Sequence, residues 1–230
     1  MTQNITHIGF DADDTLWHCE DLFFEAHERL HKFLPDRSIE DVIDAVYDVE
    51  RLNLELYGYG VKSFTLSLVE TYLTLKKDAD GTEIEELLNT GKSMMDSPTR
   101  VFANVENTLE QLSKYYTLLL ITKGEHVDQE RRIENSKLAK YFDFIEIVSE
   151  KTPQFYAMFL QDKGISPQNF IMIGNSVTSD IVPVLNIGGQ AIHIPYEHTW
   201  KHEEGPVERS VKPYVVLDSI AAVPNFLKEW

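Results

Sequence analysis

The sequence predicts an α/β fold, a doubly wound parallel sheet interrupted early by an all-helical insert. Three observations carry this expectation. Six short apolar runs rich in β-branched residues punctuate the chain, each bounded by Asp, Gly, Pro, Ser or Thr. Helical spacing of apolar residues separates the later runs. Residues 18–97 hold no convincing strand pattern.

The first run is 5–10 (ITHIGF). The others follow at 116–122 (YTLLLIT), 142–148 (FDFIEIV), 170–174 (FIMIG), 190–194 (QAIHI) and 214–217 (YVVL). Most are nearly continuous in apolar residues, as expected of strands covered on both faces. Val105, Leu109 and Leu112 predict a helix before the second run, and Phe155, Met158 and Phe159 one before the fourth. Alternation of this kind is the pattern of a doubly wound core.

Within 18–97 the spacing predicts roughly four amphipathic helices. Their apolar stripes are Phe23, Ala26, Leu30 and Phe33; Ile39, Val42, Ile43, Val46 and Val49; Phe64, Leu68, Tyr72 and Leu75; and Ile84, Leu87, Leu88 and Met94. Breaks are expected at Pro35-Asp36, Gly58 to Gly60 and Asp78 to Gly81. The core is therefore expected from 1–17 and 98–230, with 18–97 inserted between its first and second strands. The polar stretch 197–213 reads as a loop between the last two strands.

A chain of 230 residues with 43% hydrophobic and 26% charged residues has ordinary globular composition. Its net charge of −17 disfavours nucleic acid and anionic membrane as partners, since both rely on basic patches. Cys19 is the only cysteine, so neither an internal disulfide nor a cysteine-based zinc site is expected. No apolar run approaches a membrane span, and the start, MTQNITHIGF, does not read as a signal peptide. These features point to the cytoplasm.

The strongest chemical signal is GFDADDTLW at 9–17. Asp11, Asp13, Asp14 and Thr15 follow a buried strand directly, and ligands in α/β sheets bind beyond the carboxyl ends of strands. While the chain stays extended, Asp11 and Asp13 lie on the same side. Such crowding of carboxylates calls for a cation or a retained proton. Asp14 reads as a cap for the next helix.

DADDT behind a hydrophobic strand resembles the D-x-D-x-T signature of the haloacid dehalogenase superfamily. Three further elements appear in that family's order: LLLIT ending in Thr122; Lys151 in SEKTPQFY; and FIMIGNSVTSD, which is similar to G-D-x(3–4)-D with Asn175 in place of the first Asp and Asp180 supplying the last. The resemblance implies a Rossmann-like core with 18–97 as a helical cap. It further implies a Mg²⁺-dependent phosphatase acting through an aspartyl-phosphate. In those roles Asp11 is the nucleophile and Asp13 the general acid and base. Thr122, Lys123 and Lys151 bind the substrate phosphate, and Asp11, Asp13 (through its carbonyl), Asn175 and Asp180 hold the metal. The implied partner is a small phosphorylated metabolite, met by a monomer or homodimer.

Taken singly, several of these residues have plainer readings. Thr122 can close a strand, Lys151 can be a solvated lysine, Gly174 can serve a turn and Asp180 can cap a helix. Their coincidence at successive strand ends favours the site. The departure at Asn175 keeps a 2-haloacid dehalogenase-like hydrolase open as an alternative, although that reaction has no alkoxide for Asp13 to protonate. A phosphoryl-binding scaffold without turnover is the other alternative. His27 and His31, and likewise His198 and His202, are four apart and read as solvated pairs rather than metal ligands.

In the insert, 18 acidic residues face 8 basic ones. Tyr57, Tyr59 and Lys62 flank the Gly58 to Gly60 break and are the residues expected either to touch the non-phosphate part of a substrate or to pack a helix junction.

Overall fold

The computed structural model describes residues 5–196 and 213–229. All but the last residue of the expected 197–213 loop, and with it the His198/His202 pair, lies outside the described residues.

The six apolar runs form one sheet. Its strands are β1 (His7–Phe10), β2 (Thr117–Lys123), β3 (Phe144–Val148), β4 (Phe170–Gly174), β5 (Gln190–His193) and β6 (Val215–Val216). Their order is β3-β2-β1-β4-β5-β6, and every neighbouring pair is parallel. Phe10, the last residue of β1, lies opposite both Leu120 and Ile173; β4 runs one residue further and β2 three. Chain order reverses direction beside β1, and this switch point is where an open α/β sheet leaves a crevice for a ligand.

Residues of alternating parity serve the two faces of the sheet. Ile8, Phe10, Leu118, Leu120, Ile171 and Ile173 pack under α5 (Val105–Leu112), α6 (His126–Ser136) and α9 (Val223–Glu229). Leu119, Ile121, Phe170 and Met172 face α7 (Pro153–Asp162) and α8 (Val182–Asn186). The central strands are thus apolar on both sides, as expected. β3 departs from that expectation because it is an edge strand, with Phe144 39% and Ile145 40% exposed. In α7 the buried residues are Tyr156, Phe159 and Leu160, whereas Met158 points outward.

The insert contains four helices, here named α1 to α4 in chain order: Glu20–Lys32, Ile39–Tyr57, Val61–Leu75 and Gly81–Asp96. They share a hydrophobic core of their own, built on Ala26, Leu30, Val42, Val46, Phe64, Leu68, Tyr72 and Leu87. The breaks fall where expected. Ser38 and Asp41 form a capping box at the start of the second helix, and Asp80 caps the fourth through the Thr82 N–H. The two segments that join insert to sheet run side by side: Trp17 pairs antiparallel with Val101, and the His18 N–H donates to the Arg100 carbonyl at 3.0 Å. Among the described residues no helix is long and apolar enough to cross a membrane.

Candidate active site

Soon after β1 the chain turns sharply, the turn closing on Ala12. Asp14 takes a left-handed φ of 56°, and the Leu16 N–H donates to the Ala12 carbonyl at 2.8 Å. Trp17, fully buried, anchors the turn and donates its indole N–H to Asp13 Oδ1 at 2.7 Å. Asp14 accepts from the Cys19 N–H at 2.8 Å and from the Glu20 N–H, so it caps α1 as expected. Burial nevertheless pushes the Asp14 carboxyl up to about 8, against those two donors.

A cavity of about 120 Å³ opens above the ends of β1, β2 and β4. Asp11, Asp13, Thr122, Lys123, Lys151, Asn175 and Asp180 all line it. Its far wall belongs to the insert.

Lys151 sits three residues beyond β3, before α7, whose first turn is closed by the Thr152 side chain accepting from the Phe155 N–H. Its ammonium lies 2.5 Å from Asp11 Oδ1 and 2.8 Å from Asp180 Oδ1. It is 4% exposed, which removes the solvated-lysine reading. Burial alone would lower the Lys151 pKa, but Asp11 and Asp180 outweigh it and hold the lysine well above its ordinary value. Burial pushes the Asp11 carboxyl up, Lys151 pulls it back, and Asp180 and Asp13 add repulsion.

Asp180 lies in a single π turn, Val177–Ile181, that follows β4. It is fully buried, and its Oδ2 accepts from the Ser176 N–H at 3.1 Å. Gly174 serves this carboxylate rather than a turn: a Cβ there would come within 2.1 Å of Asp180 Oδ2. Asp180 therefore works inside the fold and is not the cap of α8. Ser176 is the cap of the π turn, accepting from the Ser179 N–H. Asn175 is half-buried on the cavity wall, and its Oδ1 accepts from the Thr15 hydroxyl at 3.2 Å.

Thr122 closes β2 but does more than close it. Its hydroxyl is buried with no hydrogen-bond partner among the described residues, an arrangement that native interiors rarely leave without a ligand or water. Lys123 extends its ammonium to within 3.4 Å of Ser179 Oγ and 4.6 Å of the centre of the Tyr59 ring.

Of the three insert residues expected near the site, only Tyr59 lines the cavity. Tyr57 ends the second helix facing outward, 55% exposed. Lys62 is held by Glu125 at 3.0 Å, outside the cavity. His27 is not solvated either: it packs edge-on against Phe64, and burial lowers its pKa to about 4. His31 bonds the Arg37 carbonyl at 2.9 Å.

Sequence reasoning missed the α6 contribution. Gln129 Nε2 donates to Asp13 Oδ2 at 2.7 Å, and Arg132 lies 4.0 Å from Asp13 Oδ1 and 3.4 Å from Asp128. The available signal was the i,i+4 spacing of Asp128 and Arg132. Glu50, buried on the insert wall, was also missed.

The donor chemistry suits a small hard cation. Among the described residues no group of three or more His, Cys, Asp or Glu side chains is placed to hold a metal ion by itself. Mg²⁺ needs none, because it binds through one or two carboxylates with carbonyl, water and phosphate oxygens completing its shell.

Comparison with known proteins places the chain in a family. A family described as haloacid dehalogenase-like hydrolase matches residues 5–188. A solved haloacid dehalogenase-like family hydrolase from Xanthomonas campestris is 31% identical, with a TM-score of 0.84 over 99% of this chain and 96% of that one. The human N-acylneuraminate-9-phosphatase is 26% identical over 132 residues, 54% of this chain and 51% of that protein. The glyceraldehyde 3-phosphate phosphatase of Methanothermobacter thermautotrophicus is 29% identical over 134 residues, covering 56% and 59%. The chain thus spans between half and three-fifths of the length of these curated relatives.

Proposed function

The chain belongs to the haloacid dehalogenase-like hydrolases, and from that premise we propose that it is a Mg²⁺-dependent phosphatase of a small phosphorylated metabolite. The observation that carries this reading is that Asp11 and Asp13 both line the cavity. A second carboxylate is what a phosphate ester's leaving oxygen requires and what a carbon–halogen displacement does not.

In this reading Asp11 attacks phosphorus in line with the departing oxygen and becomes an aspartyl-phosphate, dividing one hydrolysis into two steps. Asp13 gives its proton to the leaving alkoxide and then takes one from the water that attacks the intermediate. Lys151, pinned between Asp11 and Asp180, presents a fixed cation to the transferring group. Thr122 offers the phosphate its hydroxyl, and Lys123 its backbone N–H. Asp11, the Asp13 carbonyl, Asn175 and Asp180 are the residues that would hold Mg²⁺, which when bound neutralises charge on the phosphoryl oxygens. Residues 18–97 act as a cap over the core formed by 1–17 and 98–230, excluding water from the cavity.

The test is hydrolysis of p-nitrophenyl phosphate with and without Mg²⁺, together with halide release from 2-chloropropionate. Mg²⁺-dependent phosphate release that disappears in Asp11→Asn is the expected result. Metal-independent halide release would instead favour a dehalogenase, and no turnover of either compound a scaffold.

A further inference from the structure

Arg132 stands on the buried face of α6 and lines the cavity, as Asp13 does. It is 8% exposed, and the Thr99 hydroxyl donates to its carbonyl at 3.1 Å. A guanidinium carries five N–H donors in a fixed planar fork. Among the described residues only two of them are used. Nε donates to Asp128 Oδ2 at 3.4 Å, and Nη1 to the Cys19 sulfur at 3.5 Å, a weak acceptor. Asp13 Oδ1 lies 4.0 Å from Nη1, beyond hydrogen-bond range, and both Asp13 oxygens already have donors in Trp17 and Gln129. Three N–H groups, two on Nη2 and one on Nη1, therefore bond nothing among the described residues. A buried guanidinium left so incomplete beside a cavity calls for an acceptor from outside the chain.

Resting on the phosphatase reading, we infer that Arg132 is the specificity-determining residue for the leaving group. Its ligand is a carbonyl-type oxygen, of a ketone or a carboxylate, on the carbon next to the substrate's ester carbon. Reach decides the position. The leaving oxygen has to come within about 3 Å of an Asp13 oxygen to be protonated. An oxygen on the neighbouring carbon lies about 3 Å from that leaving oxygen, and a hydrogen bond spans about 3 Å more. These two steps bridge from a leaving oxygen at Asp13 to Nη1, which stands 4.0 Å from Asp13 Oδ1. Donor character decides the group. Arginine gives protons and takes none, so it selects an acceptor, and a carboxylate can take two prongs of the fork at once. An alkyl chain in the same place would displace water from the open N–H groups and replace none of its bonds.

The experiment uses the full chain with Mg²⁺ and three phosphomonoesters of similar size: dihydroxyacetone phosphate, 2-phosphoglycolate, and propyl phosphate, which lacks the oxygen. p-Nitrophenyl phosphate serves as the reference for turnover. Wild type should favour the ketone or the carboxylate over propyl phosphate by about thirtyfold or more in kcat/KM, the scale of a hydrogen bond to a charged group. The better of the two identifies the acceptor. Arg132→Met should narrow that ratio by about tenfold, chiefly through KM of the oxygen-bearing ester. Arg132→Lys keeps a cation for Asp128 but not the fork, so it should narrow the ratio as well, and it covers the case in which the methionine variant does not fold. A ratio between substrates responds to contact with the leaving group and not to the fraction of folded protein. A wild-type ratio below about threefold for both oxygen-bearing esters overturns the inference. A preference that both variants leave intact overturns the assignment to Arg132. If none of the four esters releases phosphate, the phosphatase reading fails and takes this inference with it.

Discussion

Gln129 reaches from α6 to Asp13, placing its amide nitrogen 2.7 Å from Oδ2 while the Trp17 indole holds Oδ1 at the same distance. Each carboxylate oxygen therefore has one N–H donor, and the group is held in one orientation. A proton donor that must meet a leaving oxygen depends on this kind of fixing. Gln129→Leu should lower kcat on alkyl phosphates on the order of tenfold, the scale of one hydrogen bond to a charged group. KM should change little, and aryl phosphates, whose leaving groups need less protonation, should suffer less. Equal losses on both classes would show that Gln129 does not act through Asp13.

Removing the ammonium of Lys151 leaves Asp11 and Asp180 buried together without their cation. Lys151→Met should cost about 3–5 kcal/mol of stability, the usual consequence of breaking a buried pair. It should also weaken phosphate binding. Urea unfolding and competition by inorganic phosphate measure the two effects separately. A variant as stable as wild type, with unaltered phosphate inhibition, would contradict both.

Asn175 stands half-buried beside the fully buried Asp180, so it is the more open of the two to a bound cation. Asn175→Asp adds a carboxylate there. Attraction to Mg²⁺ would be offset mostly by desolvation and by repulsion from Asp11, leaving a fall of about threefold to thirtyfold in the Mg²⁺ concentration for half-maximal rate. Phosphate affinity should fall or stay level. A metal dependence that does not respond to the substitution places Asn175 away from the ion.

Burial lowers the pKa of His27 from 6.5 to about 4. Between those values the unfolded chain binds a proton that the folded chain refuses, so stability rises with pH across that window and falls on acidification. At pH 5 this single residue should cost about 2 kcal/mol relative to pH 7.5. His27→Phe should abolish that part of the acid loss, since Phe64 offers it an aromatic neighbour. Unfolding curves for both proteins at the two pH values give the difference directly.

The strands and the insert helices were legible because they rest on short-range patterns: β-branched runs for the sheet, 3.6-residue spacing for Leu30, Val46 or Leu68, and Gly or Asp at the breaks. The two missed helices lack that pattern. α6 reads HVDQERRIENS and buries Asp128, Gln129, Arg132 and Ser136 beside a single apolar residue, Ile133, so its inner face is mostly polar. Charge pairing across a fold has no periodicity that apolar counting can detect. α9 is only seven residues long, too short for its spacing to stand out. The same reasoning covers the site. Asp11, Asp13, Thr122, Lys151 and Asp180 were picked out by a motif order that resembles the family's, and strand ends that converge by topology bring them around one cavity. Tyr57 and Lys62 lie outside the cavity, because which way a residue faces at a helix junction depends on neighbours that spacing cannot supply. Glu50 was hidden by lying within an apolar stripe.

The segment after β4 measures out its own length. Within it the Asp180 N–H reaches the Ser176 carbonyl at 2.9 Å, the Asp180 carboxylate returns to the Ser176 N–H, and the Ser179 N–H bonds the Ser176 hydroxyl. These closures hold only if four steps separate Ser176 from Asp180. Thr178, exposed at the crest of the turn, should accept many replacements. Deleting it would swing Asp180 by about 100° around the helix axis and carry it off Lys151. Insertions and deletions between 175 and 180 should therefore be as damaging as loss of Asp180 itself, while exchanges of the exposed Thr178 side chain at the same length should be far milder.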